Sequence, residues 1–212
     1  HSSWLNTDWK TDAVETIDSI SGNKFDILFI DHYSLDYKWI NLMKEHVKKV
    51  VVIDDLADRV LNCDFLIDQT LGRNISDYKD LLRPSSISLV GSKFSILRPE
   101  FIQKIDEAKV KRQETSKVKT ILISLGGVDK DNITKKIIES LLEYKFVKEL
   151  QINVVLGVGS SHFDDIKSFE GLKNNVKVFF DIKNMSDFIL DADLAFGAGG
   201  SSSWERCVLG LP

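Results

Sequence analysis

The chain has 212 residues, 43% of them hydrophobic, and 28 Lys and Arg against 32 Asp and Glu give it a formal net charge of −4. That apolar content supports a buried core for one large or two small domains, and the lack of a long basic stripe interleaved with aromatics disfavours a nucleic-acid partner. Only Cys63 and Cys207 are present, and no apolar run approaches the roughly 20 residues of a membrane span. A disulfide framework, a zinc site and a membrane span therefore have no support, and a cytoplasmic protein is expected.

In chain order, a helix over residues 12–20 leads into the apolar run Phe25-Asp26-Ile27-Leu28-Phe29-Ile30. Apolar residues three and four apart from Trp39 to Val47 predict an amphipathic helix, followed by strands at Val50-Val51-Val52-Ile53 and Phe65-Leu66-Ile67. The polar run Lys109-Val110-Lys111-Arg112-Gln113-Glu114-Thr115-Ser116-Lys117 has little periodicity and reads as solvated surface or linker.

Beyond it come a strand at Thr120-Ile121-Leu122-Ile123-Ser124-Leu125 and a helix over 133–142. Further strands follow at Ile152-Asn153-Val154-Val155-Leu156, Val176-Lys177-Val178-Phe179-Phe180 and Leu194-Ala195-Phe196. Nearly continuous apolar strands alternating with helices are the pattern of parallel sheets covered on both faces. The fold expected is α/β, with two doubly wound units over residues 1–112 and 118–212. A doubly wound unit opens with a strand, whereas this chain opens with a helix and stops on Gly210-Leu211-Pro212 after another, so both units are expected to be incomplete.

Ligands of such folds sit outside the carboxyl ends of the strands. Those ends carry Asp31-His32-Tyr33, Asp54-Asp55, Gly126-Gly127, Gly157-Val158-Gly159 and Gly197-Ala198-Gly199-Gly200-Ser201-Ser202-Ser203. The last is a glycine and serine turn between a strand and a helix, where backbone N–H groups and the positive end of the helix dipole make a seat for an anion. The same composition also serves as an ordinary flexible turn. It lacks the spacing of the dinucleotide fingerprint and of the Walker loop. Glu205, about one turn into the helix, is placed to accept hydrogen bonds from ribose hydroxyls. Two glycine-rich strand ends in one half of the chain favour a shared phosphate site.

Single residues admit plainer roles. Tyr33 can orient a reacting hydroxyl or cap the core with its ring, and His32 should point the opposite way if the strand continues. Asp54-Asp55 is better read as a cap or an ion pair with Arg59 than as a metal site, since adjacent strand residues face opposite sides. His162 is expected to be exposed, and Trp204 to pack its helix onto the sheet rather than stack on a base.

Taken together, several blocks resemble one family. They are Ile30-Asp31-His32-Tyr33-Ser34-Leu35, the run from Val52 to Arg59, the run from Asn62 to Gln69, Leu97-Arg98-Pro99-Glu100-Phe101, Ser124-Leu125-Gly126-Gly127-Val128-Asp129 and residues 197–212. The family is the UDP-2,4-diacetamido-2,4,6-trideoxy-β-L-altropyranose hydrolase of pseudaminic acid biosynthesis, with its spore-coat polysaccharide relatives, and the likeness runs through nearly the whole chain. It implies two Rossmann-like domains of glycosyltransferase-B type, with UDP held by the C-terminal one. It implies a reaction in which water displaces UDP from the anomeric carbon with inversion, for flagellin glycosylation or surface polysaccharide.

The resemblance assigns the diphosphate to Gly199, Gly200, Ser201, Ser202 and Ser203 and the ribose to Glu205. Gly126 and Gly127 would let backbone approach the phosphates, and Tyr33 would be the catalytic contact to the sugar phosphate or the water. No metal or cofactor is implied, because preorganised donors can stabilise a leaving diphosphate. The partner is the UDP-sugar itself. The family's histidine base lies in a Gly-x-Gly-His loop that these residues do not contain, nor do they contain its later Asn-Gln segment. Losing a general base removes about 10²–10⁴-fold in rate, so the 212 residues alone are expected to bind and turn over little. A glycosyltransferase using a UDP-sugar and a non-catalytic nucleotide-sugar-binding module are the alternatives.

Overall fold

A computed structural model describes residues 4–20, 22–172 and 175–212. They fall into two compact units, residues 1–96 and residues 97–212.

The first unit runs α1 (Trp9–Ser19), β1 (Phe25–Ile30), α2 (Tyr37–Met43), β2 (Val47–Ile53), β3 (Phe65–Asp68) and β4 (Ile87–Val90). The four strands form one parallel sheet in the order β1-β2-β3-β4. Asp8 caps α1 by accepting from the N–H groups of Lys10 and Thr11. The indole of Trp39 in α2 donates to Asp12 at 2.7 Å, joining the two helices. Both helices cover the sheet face that carries Ile30, Val50, Val52 and Leu66.

Two elements differ from the sequence reading. The second helix stops at Met43, because Val47 is drawn into β2 opposite Phe25. On β1, Phe25, Ile27 and Phe29 are exposed, since α1 and α2 pack on the opposite face.

The second unit runs α3 (Pro99–Gln103), α4 (Ile105–Glu114), β5 (Thr120–Ser124), α5 (Ile133–Leu142), β6 (Gln151–Leu156), α6 (Phe163–Leu172), β7 (Val176–Phe180), α7 (Met185–Asp191), β8 (Leu194–Gly197) and α8 (Ser201–Val208). Its parallel sheet has the order β7-β6-β5-β8. Alternate side chains feed two separate cores. Ile121, Ile123, Ile152 and Val154 face Ile138 of α5 and Ile166 of α6, whereas Leu122 and Val155 face Phe101 of α3, Ala108 of α4, Ile189 of α7 and Leu209 just after α8. This sheet is thus covered on both faces, each fully buried aliphatic side chain contributing about 1.5–3 kcal/mol.

Residues 109–114, read from the sequence as surface or linker, are helical. Arg112 explains why: its guanidinium donates to the carbonyls of Ile189, Leu190, Ala192 and Leu209, closing the carboxyl ends of α7 and α8. Helix α8 then ends as its Gly-Leu-Pro sequence predicts. Gly210 adopts φ +61°, with its N–H on Cys207 O and the Leu211 N–H on Arg206 O. No helix among the described residues is long and apolar enough to cross a membrane.

Candidate functional site

In the second unit the chain starts at β5, moves outward through β6 and β7, and returns to the other side of β5 with β8. The sheet therefore changes winding direction between β5 and β8. The loops leaving those two strands diverge to opposite faces and open a crevice at their carboxyl ends, the place where doubly wound sheets hold ligands. Ser124, at the end of β5, pairs with Gly197, at the end of β8. The Gly126-Gly127 loop and the loop over 197–203 therefore start side by side.

Each glycine has a distinct physical reason. Gly200 precedes α8 with φ 105° and ψ −160°, a conformation closed to residues with a Cβ, and no side chain caps the helix start. The first turn of α8 is Ser201, Ser202 and Ser203, so hydroxyls and uncapped N–H groups share one end of the helix. A Cβ on Gly199 would meet nothing within 4 Å, which leaves the loop open toward the crevice. Gly126 has φ 86°, and open space likewise lies beside Gly126 and Gly127.

Gly157 and Gly159, by contrast, are packing residues. A Cβ on Gly157 would lie 2.7 Å from Gly127 Cα, and one on Gly159 would lie 2.9 Å from Gly127 O. The β6 loop thus supports the β5 loop from the far side, backbone against backbone.

Glu205 lies one turn into α8 with its side chain 13% exposed, and its Oε1 accepts from Arg98 Nε at 3.0 Å. Arg98 stands at the residue before α3, lies over the Phe101 ring at 4.9 Å and also pairs with Glu100 at 3.2 Å. Arg206 extends beneath the loop. It donates to Ala198 O at 3.0 Å, to Ser203 Oγ at 3.2 Å and to Ser202 Oγ at 3.4 Å. Neither arginine was singled out from sequence. Arg98 stood in a quoted block without a role, and Arg206 gave no signal beyond its place four residues after Ser202.

Across the crevice, Asp129 shapes the start of α5. Its two carboxylate oxygens accept from Ile133 N and Thr134 N, both at 2.9 Å. Burial works to raise its pKa, but these bonds and the Thr134 hydroxyl outweigh burial and hold the carboxyl below its ordinary value. Asp129 and Asn132 adopt φ of 41° and 50°, which Asp and Asn tolerate better than other side chains. His162 is half-buried, with Nε2 3.2 Å from Lys130 O, and Trp204 is half-buried too.

Tyr33 lies in the first unit, beyond the carboxyl end of β1. Its phenol donates to Asp55, and that bond, followed by burial and by the charges of Asp55, Asp31 and Asp54, pushes its pKa up. Its ring packs edge-on against Trp4 at 5.5 Å between centroids. Tyr33 is therefore a hydrogen-bond donor at neutral pH rather than a proton acceptor. His32 Nδ1 accepts from Ser34 N at 3.1 Å, so the neutral ring carries its proton on Nε2.

Asp54 pairs with Arg59 at 2.7 Å, as the sequence reading preferred, and Arg59 also donates to Leu35 O and His32 O. Tyr78 OH lies 2.9 Å from both Asp54 Oδ2 and Asp68 Oδ2, and Arg73 Nε lies 2.7 Å from Asp68. Both carboxylates of the Asp54 and Asp68 pair are thus spent on tying down loops. Among the described residues no group of His, Cys, Asp and Glu could hold a metal ion.

The structure places Gly126, Gly127, Gly199, Gly200, Ser201, Ser202, Ser203 and Glu205 along the carboxyl edge of one sheet, with Tyr33 at the corresponding edge of the other. No protein-family model matches the chain. It is 26% identical over 207 residues to an uncharacterized protein of Methanocaldococcus jannaschii, covering 95% of this chain and 42% of that one. It is 26% identical over 180 residues to the UDP-2,4-diacetamido-2,4,6-trideoxy-β-L-altropyranose hydrolase of Campylobacter jejuni, covering 84% of this chain and 61% of the hydrolase. Over 122 residues it is 25% identical to the spore coat polysaccharide biosynthesis protein SpsG of Bacillus subtilis, covering 58% of this chain and 35% of SpsG. The chain thus spans 35–61% of the length of these three relatives. Among solved structures, MurG of Acinetobacter baumannii aligns with a TM-score of 0.50 at 15% identity, over 81% of this chain and 53% of MurG, a likeness of fold.

Proposed function

From the premise that this chain is a relative of the UDP-2,4-diacetamido-2,4,6-trideoxy-β-L-altropyranose hydrolase and SpsG, with an α/β fold of glycosyltransferase-B type, we propose that it binds the UDP part of a UDP-sugar and serves its hydrolysis. The observation that carries this reading is the crevice between β5 and β8, where two glycine loops and Glu205 meet at a change of winding direction. In this reading the diphosphate lies on the 199–203 turn and against Gly126 and Gly127. The carboxylate of Glu205 accepts from the ribose hydroxyls.

As UDP leaves, negative charge grows on the departing phosphate oxygen. Backbone N–H groups and serine hydroxyls fixed before the reaction stabilise that charge without reorganising. Water attacks the anomeric carbon from the face opposite the leaving group, inverting it, and Tyr33 contacts the sugar phosphate or the attacking water, its single phenolic hydrogen leaving Asp55 if it donates to either. These 212 residues hold no Gly-x-Gly-His loop, so tight UDP binding with little turnover is the behaviour expected of them. The substrate proposed is the UDP-diacetamido-trideoxyhexose of pseudaminic acid biosynthesis, on the strength of the Campylobacter relative.

Calorimetry with UDP tests the reading. The intact chain should bind UDP, and Glu205→Ala should weaken UDP binding while leaving pyrophosphate binding within about twofold. No UDP binding by the intact chain overturns the nucleotide assignment. Product analysis on a longer form of the protein separates the chemistry: free sugar and UDP without an acceptor support hydrolysis, and turnover only with an acceptor identifies a transferase.

A further inference from the structure

Arg206 occupies an unusual place for a cation. Its guanidinium fills the space where the side chain of Gly197 would stand, since a Cβ there would lie 2.2 Å from Nη1 and 2.5 Å from Cζ. Only glycine at position 197 lets the charge pass under the loop. Among the described residues no carboxylate oxygen comes within 4.0 Å of Arg206, whereas the neighbouring Arg98 is paired with both Glu205 and Glu100. The hydrogen bonds of its guanidinium go instead to the glycine and serine turn, at Ala198 O, Ser202 Oγ and Ser203 Oγ.

We propose that Arg206 is the positioning residue and the fixed charge of the anion seat, selecting diphosphate-bearing ligands by occupying Ala198 O and the Ser203 hydroxyl oxygen from the inner side of the 198–203 turn, so that these groups do not face the anion as acceptors. This deepens the UDP-site reading above and rests on it. Three effects combine. The Arg206 guanidinium holds Ala198 O, a carbonyl of the turn, on the inner side, so that its negative dipole does not face a bound anion. It donates to Ser203 Oγ, and a hydroxyl whose oxygen is already accepting presents its hydrogen to a ligand, whereas Ser202 Oγ, which also accepts from Arg206, gives its hydrogen to Ala198 O at 3.4 Å and helps hold that carbonyl inward. Its unneutralised charge adds to the positive end of α8, in a part-buried setting where screening by water is reduced.

The ligand recognised is a dianionic or trianionic pyrophosphate group. Lysine, a point charge on a flexible stem, would retain the charge but cannot reach three acceptors with one planar fork.

The test compares the intact chain with Arg206→Met, Arg206→Lys and Gly197→Ala. Inorganic pyrophosphate and UDP are titrated by calorimetry at several salt concentrations, and folding is checked by circular dichroism and thermal melting. Gly197→Ala retains the arginine but displaces its guanidinium, so it reports on position rather than on loss of side-chain volume. The expected result is that Arg206→Met and Gly197→Ala weaken both ligands roughly tenfold and flatten the salt dependence, with Arg206→Lys intermediate.

Unchanged affinity in folded Arg206→Met overturns the proposal while leaving the UDP site standing. If Arg206→Met does not fold, Gly197→Ala decides: unchanged affinity there overturns the proposal, and a roughly tenfold loss supports it. An intact chain that binds pyrophosphate but not UDP, with the pyrophosphate lost in the variants, supports Arg206 and rejects the nucleotide. Binding of neither ligand by the intact chain overturns both.

Discussion

Arg98 Nε lies 3.0 Å from Glu205 Oε1, joining two side chains separated by 107 positions in the sequence. The pair commits one oxygen of the Glu205 carboxylate and constrains the side chain, which in the proposed site leaves the second oxygen to accept from the ribose. Arg98 is half-exposed and the pair contributes little to folding, within about 1 kcal/mol. Its effect is on orientation. Arg98→Ala should therefore leave the urea midpoint nearly unchanged and raise the dissociation constant for UDP about three- to tenfold by calorimetry. Arg98→Lys should fall between, because it retains the charge and loses the planar contact with Phe101.

Gly157 and Gly199 should respond in opposite ways to the same added methyl. At Gly157 the methyl meets the Gly127 backbone at 2.7 Å, and backbone cannot rotate away, so Gly157→Ala should cost about 1–3 kcal/mol in chemical denaturation. At Gly199 it enters open space, so Gly199→Ala should fold within about 0.5 kcal/mol of the parent and lose affinity for UDP. A Gly199→Ala chain that binds UDP as well as the parent would take the diphosphate off this part of the loop.

Tyr78 supplies one hydrogen to a position between two carboxylate oxygens, each 2.9 Å away. Burial first, then the neighbouring Asp54, pushes its phenol far up, so it remains a donor. Tyr78→Phe leaves that space without a donor and should cost about 1–3 kcal/mol by urea unfolding at pH 7. Arg59 joins Asp54 to the carbonyls of His32 and Leu35, so the same variant should loosen the turn that carries Tyr33. Faster amide exchange over residues 31–36 would register that change.

Asp129 makes the stability of the second unit depend on acid. Its pKa is lower in the folded chain than in the unfolded one, so its contribution is fully present above the ordinary carboxylate value, near pH 4. The contribution fades as pH falls through the lower, folded value. Asp129→Asn, which offers one acceptor where two are used, should cost about 1 kcal/mol at pH 7. Melting curves for the two proteins should converge as pH is lowered from 5 toward 2. A gap that stays constant over that range would show that the carboxylate charge is not what holds α5.

Strands buried on both faces were legible in the sequence because their apolar runs are uninterrupted, as at Thr120-Ile121-Leu122-Ile123. Strand β4 was missed: Ile87-Ser88-Leu89-Val90 is four residues long and lies at a sheet edge, where one side can stay polar. Helix α4 escaped because only Ala108 is buried along it, and its contact with the unit is made by the head of Arg112 rather than by an apolar stripe.

For the candidate site, glycine and serine at a strand end could be recognised from local order alone. The ion pair of Arg98 with Glu205 and the packing of Gly157 on Gly127 depend on which strands become neighbours, and one sequence does not display that.

Asp193 stands at the opposite edge of the second sheet from the glycine loops. Its N–H bonds to Thr120 O, and its Oδ2 accepts from both Lys119 N and Thr120 N, at 2.8 and 2.9 Å. These bonds index β8 against β5 before either strand has advanced one residue. The alignment then runs from Ile121 opposite Leu194 to Ser124 opposite Gly197. A one-residue slip would turn Ala195 and Phe196 to the wrong faces, and a two-residue slip would carry the glycine turn roughly 7 Å along the sheet. The crevice is therefore levelled from its far end, by a carboxylate that no ligand in it would touch.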